Sequence, residues 1–289
     1  MLLAKEIRKA GNAIMPLSKN NDTNNFYPVE IKGTAWKCDY LFSTHRGCWH
    51  DCLYCSSKKY NIRFGGDPKL AKWLKSEWRN ENLKRKSLPP GHIFVNPYCD
   101  IFALPEDDIR KILFFVSEVQ MLNMESEFTN FIFQTKNPQG FFDYCDIMPK
   151  EYWAGTTLET NLNIDYSVNG ISRAPSVYFR FLDFERLISI SDRNLIKFFI
   201  TIEPIMQFDS GLANMIKRLM PDVVFIGANT SKAKLNEPSD TSLMNLIYSL
   251  YDIIGVEKVY LKKNIRRLIP HFYDGWKLAE KQNIRKETI

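Results

Sequence analysis

Three of the chain's six cysteines fall within eight residues, at Cys48, Cys52 and Cys55. Thiolates in such a Cys-x3-Cys-x2-Cys run can hold three corners of a cubane iron–sulfur cluster and leave the fourth iron open to chemistry. Three other uses of the same residues stay open. A structural zinc ion takes a fourth ligand, for which His45 and His50 stand nearby. A closed electron-transfer cluster takes a fourth cysteine, Cys38 or Cys99, from a distance. Unligated core thiols are the third use. A disulfide framework fits poorly, because the chain is long and residues 1–25 show no export-signal pattern.

A cluster needs a scaffold that places its loop, and the remaining sequence supplies one. Short apolar or β-branched runs predict strands at 40–44, 92–96, 130–135, 153–158, 198–203, 222–227 and 257–261. Between them, helical patterns cover 68–86, 105–122, 139–146, 174–190, 210–219 and 240–253, the second opened by the acidic turn Pro105-Glu-Asp-Asp108. Six or seven βα units follow, which predicts an α/β fold built as a partial (β/α)6-type TIM barrel; a doubly wound open sheet is the competing architecture. The barrel spans 29–270, preceded by a polar N-terminal arm at 1–28 and followed by a tail at 271–289.

In either architecture the chemistry lies at the carboxyl ends of the strands. The residues there are polar: Asn96 to Asp100, Thr135-Lys136, Glu159 to Asn161, Glu203, Asn229 and Lys262-Lys263. Glu203, facing a barrel mouth, could accept ribose hydroxyls or substrate hydrogen bonds. The plain alternative is that strand ends meet water, and that Glu159 and Glu203 pair with Arg173 or a lysine.

The bulk numbers constrain less. With 289 residues, 45% hydrophobic and 13% aromatic, the chain can bury a sizeable core. No apolar run approaches the ~18 residues of a membrane span, so the expectation is a cytoplasmic protein. A net charge of +6 suits a polyanionic partner without requiring one. Trp73 and Trp78 lie among Lys69 to Lys86, and Lys262, Lys263, Arg266 and Arg267 form a second basic cluster; both read as nucleic-acid contacts or as solvated faces. Cys38 and Cys145 read as inert core thiols.

The cysteine run resembles the signature of the radical S-adenosylmethionine (SAM) superfamily. The blocks Phe94 to Phe102, Phe131 to Pro138, Trp153 to Asn161, Ile202-Glu-Pro204 and Val224 to Asn229 resemble those of a bacteriophage and prokaryotic family within it. That family is itself similar to spore photoproduct lyase and to DNA repair photolyase-like proteins. The resemblance implies a 4Fe-4S cluster on Cys48, Cys52 and Cys55, SAM on the open iron, and reductive cleavage to a 5′-deoxyadenosyl radical. It further implies that Tyr54 contacts adenine, Asp100 the SAM amino group, Lys136 its carboxylate, and Thr157 and Glu159 its ribose or carboxylate. An electron donor such as flavodoxin or ferredoxin is implied as well. Cys99, the only cysteine outside the run at a strand's carboxyl end, becomes a hydrogen-atom donor or radical relay, although in the lyases the cysteine sits a few residues earlier.

The leading expectation is therefore a radical SAM enzyme that repairs or modifies a nucleic acid or nucleotide. Radical modification of a peptide or small metabolite is the second, and a zinc-stabilised nucleic-acid-binding protein the third.

Overall fold

β-branched and aromatic residues pack well on a pleated surface, and the short runs rich in them form the strands. The computed structural model describes residues 26–27, 38, 40–59, 77–78, 83, 88–123, 129–231 and 233–271. The strands are β1 (Phe26–Tyr27), β2 (Tyr40–Phe42), β3 (His45–Arg46), β4 (Glu77–Trp78), β5 (Gly91–Val95), β6 (Thr129–Thr135), β7 (Tyr152–Thr157), β8 (Ile196–Ile202), β9 (Val223–Ile226) and β10 (Val259–Lys262). The main helices are α1 (Glu106–Asn123), α2 (Gly140–Asp143), α3 (Val177–Ile190), α4 (Gly211–Leu219) and α5 (Asp240–Ile254).

The strands β2, β5, β6, β7, β8, β9 and β10 run parallel, side by side in chain order, and β1 adds an antiparallel strand against β10. Neighbours in chain order mean that every right-handed crossover falls on the same face, so the sheet curls toward a barrel. A doubly wound sheet reverses its strand order partway, and none of the described strands does so. The architecture is a half-barrel.

Strand alternation sorts the side chains. One face sends Ile93, Phe131, Phe133, Ala154, Phe198, Ile200, Val224 and Leu261 against the helices' buried residues in one continuous core. The other face fills the concave lumen with Ile132, Phe199, Val223, Phe225 and Tyr260, flanked by Phe94 and Trp153. Gly155 of β7 makes that filling fit, since a Cβ there would stand 2.1 Å from the Phe199 ring. The aromatic layer closes the lower lumen, and the polar side chains lie above it at the carboxyl ends.

The acidic opening of α1 falls as expected, with Glu106, Asp107 and Asp108 in its first turn. The helix expected over 68–86 is not sustained, because Glu77–Trp78 pairs as a strand with His45–Arg46; the rest of that stretch, with Trp73, lies outside the described residues. Within the expected N-terminal arm, Phe26–Tyr27 belongs to the sheet. The tail expected at 271–289 is described only at residue 271. No helix among the described residues is long and apolar enough to cross a membrane.

Candidate functional site at the carboxyl ends of the strands

The cysteine loop leaves β2 and β3 through Gly47, whose φ of 95° suits a residue without a Cβ, and turns again at Asp51 with φ 46°. The segment that follows β7 clamps it. Leu53 N–H donates to Ile171 O at 2.8 Å, and Arg173 N–H donates to His50 O at 2.7 Å. Between these two bonds, Ser172 Oγ lies 3.2 Å from Cys52 Sγ and 3.1 Å from His50 O. Burial raises the Cys48 and Cys55 thiol pKa values, and Cys52 lies within electrostatic reach of both. Cys99, also buried, is raised by burial first and then by Cys48, Asp100 and Cys55.

Among the described residues no group of three His, Cys, Asp or Glu side chains is drawn to metal-coordination spacing. His45 Nε2 donates to Asp108 at 3.2 Å, with Nδ1 2.9 Å from Thr44 Oγ1, and His50 Nε2 donates to Asp100 at 3.0 Å. His45 is engaged through both ring nitrogens, whereas His50 is held through Nε2 in the way metal-ligating histidines also are; three soft thiols on one loop are the donor type that an iron–sulfur cluster takes.

Asp100 ties the loop to the sheet. One carboxylate oxygen accepts from Phe102 N–H at 3.1 Å and Thr135 Oγ1 at 2.7 Å, and the other accepts from His50 Nε2 and Lys136 N–H. Burial alone would raise its pKa, but His50 and these hydrogen bonds outweigh it and hold the carboxyl down. A carboxylate has about four acceptor positions, and protein donors fill them all.

Glu159 centres a second cluster at the β7 end. Its Oε1 accepts from Tyr54 Oη and from Lys136 Nζ at 2.9 Å; its Oε2 accepts from Arg180 Nη1 at 2.8 Å and Tyr166 Oη at 3.4 Å. Burial would raise this carboxyl, yet Arg180 and Lys136 prevail and lower it to about 2. Arg180, itself fully buried, also donates through Nη1 to Thr157 O at 3.0 Å and through Nε to Pro175 O at 2.7 Å, while Nη2 has no protein partner. Lys136 Nζ lies 5.4 Å from the Tyr54 ring centroid. Two cations against one carboxylate leave this network with an unbalanced positive charge.

The other expected residues fall nearby or apart. Thr157 Oγ1 accepts from Gln134 Nε2 at 3.1 Å beside the Glu159 network. Glu203 stands across the mouth, accepting from Lys262 Nζ and from Asn264 Nδ2 at 2.7 Å. The ion pair of Glu159 is made with Arg180 and Lys136, not Arg173. Cys145 is exposed and Cys38 half-buried, so neither is the core thiol expected from apolar neighbours. Sequence reasoning missed Arg180, Tyr166 and Ser172. A signal existed only for Arg180, a charge on the apolar stripe Val177, Phe181, Phe184 and Leu187.

The site is thus a three-cysteine loop at the end of the first parallel strand of a half-barrel, with the polar strand ends beside it. Solved structures similar in fold include those of spore photoproduct lyase. A cysteine-to-serine variant of that lyase matches with a TM-score of 0.51 at 10% identity, over 86% of this chain and 79% of the other. A cysteine-to-alanine variant matches with a TM-score of 0.50 at 10% identity, over 83% and 79%. A variant with bound AdoMet and dinucleoside spore photoproduct gives 0.49 at 11% identity, over the same shares. No protein-family model and no curated protein matches the chain.

Proposed function

We propose that this chain is a radical SAM enzyme whose substrate is a nucleic acid or nucleotide. The observation that carries the reading is the meeting of the cysteine loop with Tyr54, Lys136, Glu159 and Arg180 at one end of the barrel. A zinc-stabilised binding module has no need of that buried charge network.

When bound, a cluster on Cys48, Cys52 and Cys55 with SAM supplies one-electron reductive cleavage of the sulfonium and hence hydrogen-atom abstraction. The protein's own residues bind and shield. Lys136 offers a donor to the carboxylate of SAM, and Glu159 fixes its ammonium in place against the buried Arg180. Tyr54, anchored through its hydroxyl to Glu159, keeps a ring face for adenine. Asp100, with its acceptors filled, acts as a positioning residue that locks the cysteine loop to β5 and β6. Thr157 and Glu203 line the mouth on the ribose and substrate side. The nucleic-acid assignment is supported by the resemblance of the strand-end blocks to the photoproduct-lyase group and by the net charge of +6. Flavodoxin or ferredoxin is the proposed electron donor.

Anaerobic reconstitution tests the reading. About four irons per chain and dithionite-driven formation of 5′-deoxyadenosine from SAM are expected, both abolished in Cys48→Ala, Cys52→Ala and Cys55→Ala. One zinc and no iron would overturn it.

A second reading attaches to Cys99, a buried thiol within electrostatic reach of Cys48 and Cys55. As a hydrogen-atom donor it would leave iron content and SAM cleavage intact in Cys99→Ala while changing the product. As a fourth cluster ligand its loss would change the iron stoichiometry or the EPR spectrum of the reduced protein. Measuring iron and EPR in that variant separates the two.

A further inference from the structure

We infer that the Ser172 hydroxyl donates to the Cys52 sulfur once a cluster is in place, and so tunes how readily that cluster accepts an electron. The inference rests on the cluster reading above.

Ser172 is 120 residues from Cys52 in the chain, yet its buried Oγ lies 3.2 Å from Cys52 Sγ. The contact is fixed on either side by the backbone bonds Leu53 N–H to Ile171 O and Arg173 N–H to His50 O. Oγ also accepts from Ala174 N–H at 3.1 Å, so its environment is specified on the acceptor side as well.

A hydroxyl has one proton to give. While Cys52 is a thiol, its S–H can donate to Oγ and Ser172 can donate to His50 O, 3.1 Å away. As a metal-bound thiolate, Cys52 has no proton and can only accept. Ser172 then chooses between a neutral carbonyl and an anionic sulfur, and the charge-assisted bond is the stronger, roughly twofold. Turning to sulfur strands nothing, because His50 O keeps its 2.7 Å bond from Arg173 N–H. A hydrogen bond to a cluster sulfur favours the more negative, reduced state and raises the potential.

Wild-type, S172A and S172T proteins, reconstituted anaerobically, are titrated with dithionite and followed by visible absorption and by EPR of the reduced cluster. S172A should hold the same iron as wild type. At the wild-type midpoint its reduced-to-oxidised ratio should fall by about three- to tenfold, a tenfold change being about 59 mV for one electron. S172T, which keeps the hydroxyl, should titrate with wild type. Equal potentials in wild type and S172A overturn the inference, as does an S172T protein shifted as far as S172A, which would make packing the cause. An S172A protein unable to hold iron makes Ser172 a strut of the loop and also overturns it. Wild type without iron removes the cluster reading itself, an outcome the iron assay distinguishes from the other three.

Discussion

Glu159 is held by donors on both oxygens, and its chemistry differs between folded and unfolded chains. Unfolded, its carboxyl titrates near 4.5; folded, Arg180 and Lys136 overcome the effect of burial and bring it to about 2. As pH falls, the unfolded chain binds this proton first, so the stabilisation is complete above about pH 4.5 and is lost between 4.5 and about 2. Asp100 titrates in the same sense. Glu159→Gln removes the charge while keeping the shape, leaving Arg180 and Lys136 without their counter-ion. Breaking a buried pair this way costs about 3–5 kcal/mol. Urea denaturation at neutral pH should show that loss, and between pH 5 and 3 the variant should lose less further stability than wild type. Parallel pH profiles for the two proteins would remove Glu159 from this role.

Elements were legible in the sequence where periodicity alone determined them. All seven parallel strands fall on the expected runs, because a strand in a buried parallel sheet needs a continuous apolar stretch and few other elements do. The pair β3–β4 was not legible: two residues carry no period, and the basic stretch around Trp78 has the composition of a helix. The clamp from Ile171 to Arg173 was likewise invisible, since backbone bonds in an irregular loop leave no mark on residue type. Of the site, the cysteines stood out by their spacing and Lys136 and Glu159 by their place at strand ends, while Tyr54 came only through the resemblance; their mutual contact was not legible. Gly155 lies between these cases. Its type suggests a bulge or close approach, and the structure identifies the neighbour as the fully packed Phe199 ring. Gly155→Ala would put a methyl group 2.1 Å from that buried ring, so the ring or the strand must shift. Overpacking of this kind costs about 1–3 kcal/mol, so a lowered melting temperature is expected. An unchanged melting temperature would show that the lumen layer is loose enough to absorb a methyl group.

At the scale of the whole molecule, the single-sense winding puts the cysteine loop at one edge of an open sheet and the Glu159 network near its centre. Asp100 and Lys136 are the covalent and hydrogen-bonded steps between them, linking the ends of β5, β6 and β7. A ligand seated across those ends would bind only the folded sheet, so its binding energy would add directly to folding stability. At a SAM concentration 100 times its dissociation constant, the gain is about 2.7 kcal/mol. For a chain of this size that corresponds to a rise in melting temperature of roughly 4 °C, measured anaerobically on cluster-loaded protein. If Lys136 holds the SAM carboxylate as proposed, Lys136→Ala removes a charge-assisted hydrogen bond worth about 1.5–3 kcal/mol, so affinity falls roughly tenfold or more. At the same SAM concentration the thermal gain then drops by about half. The cluster-free protein supplies the control, because without the open iron SAM loses the contact that orients it, and its melting temperature should barely move. If Lys136→Ala shows the full wild-type rise, its ammonium serves Glu159 alone, and the positive charge left over in the network must be met by some other group on the ligand.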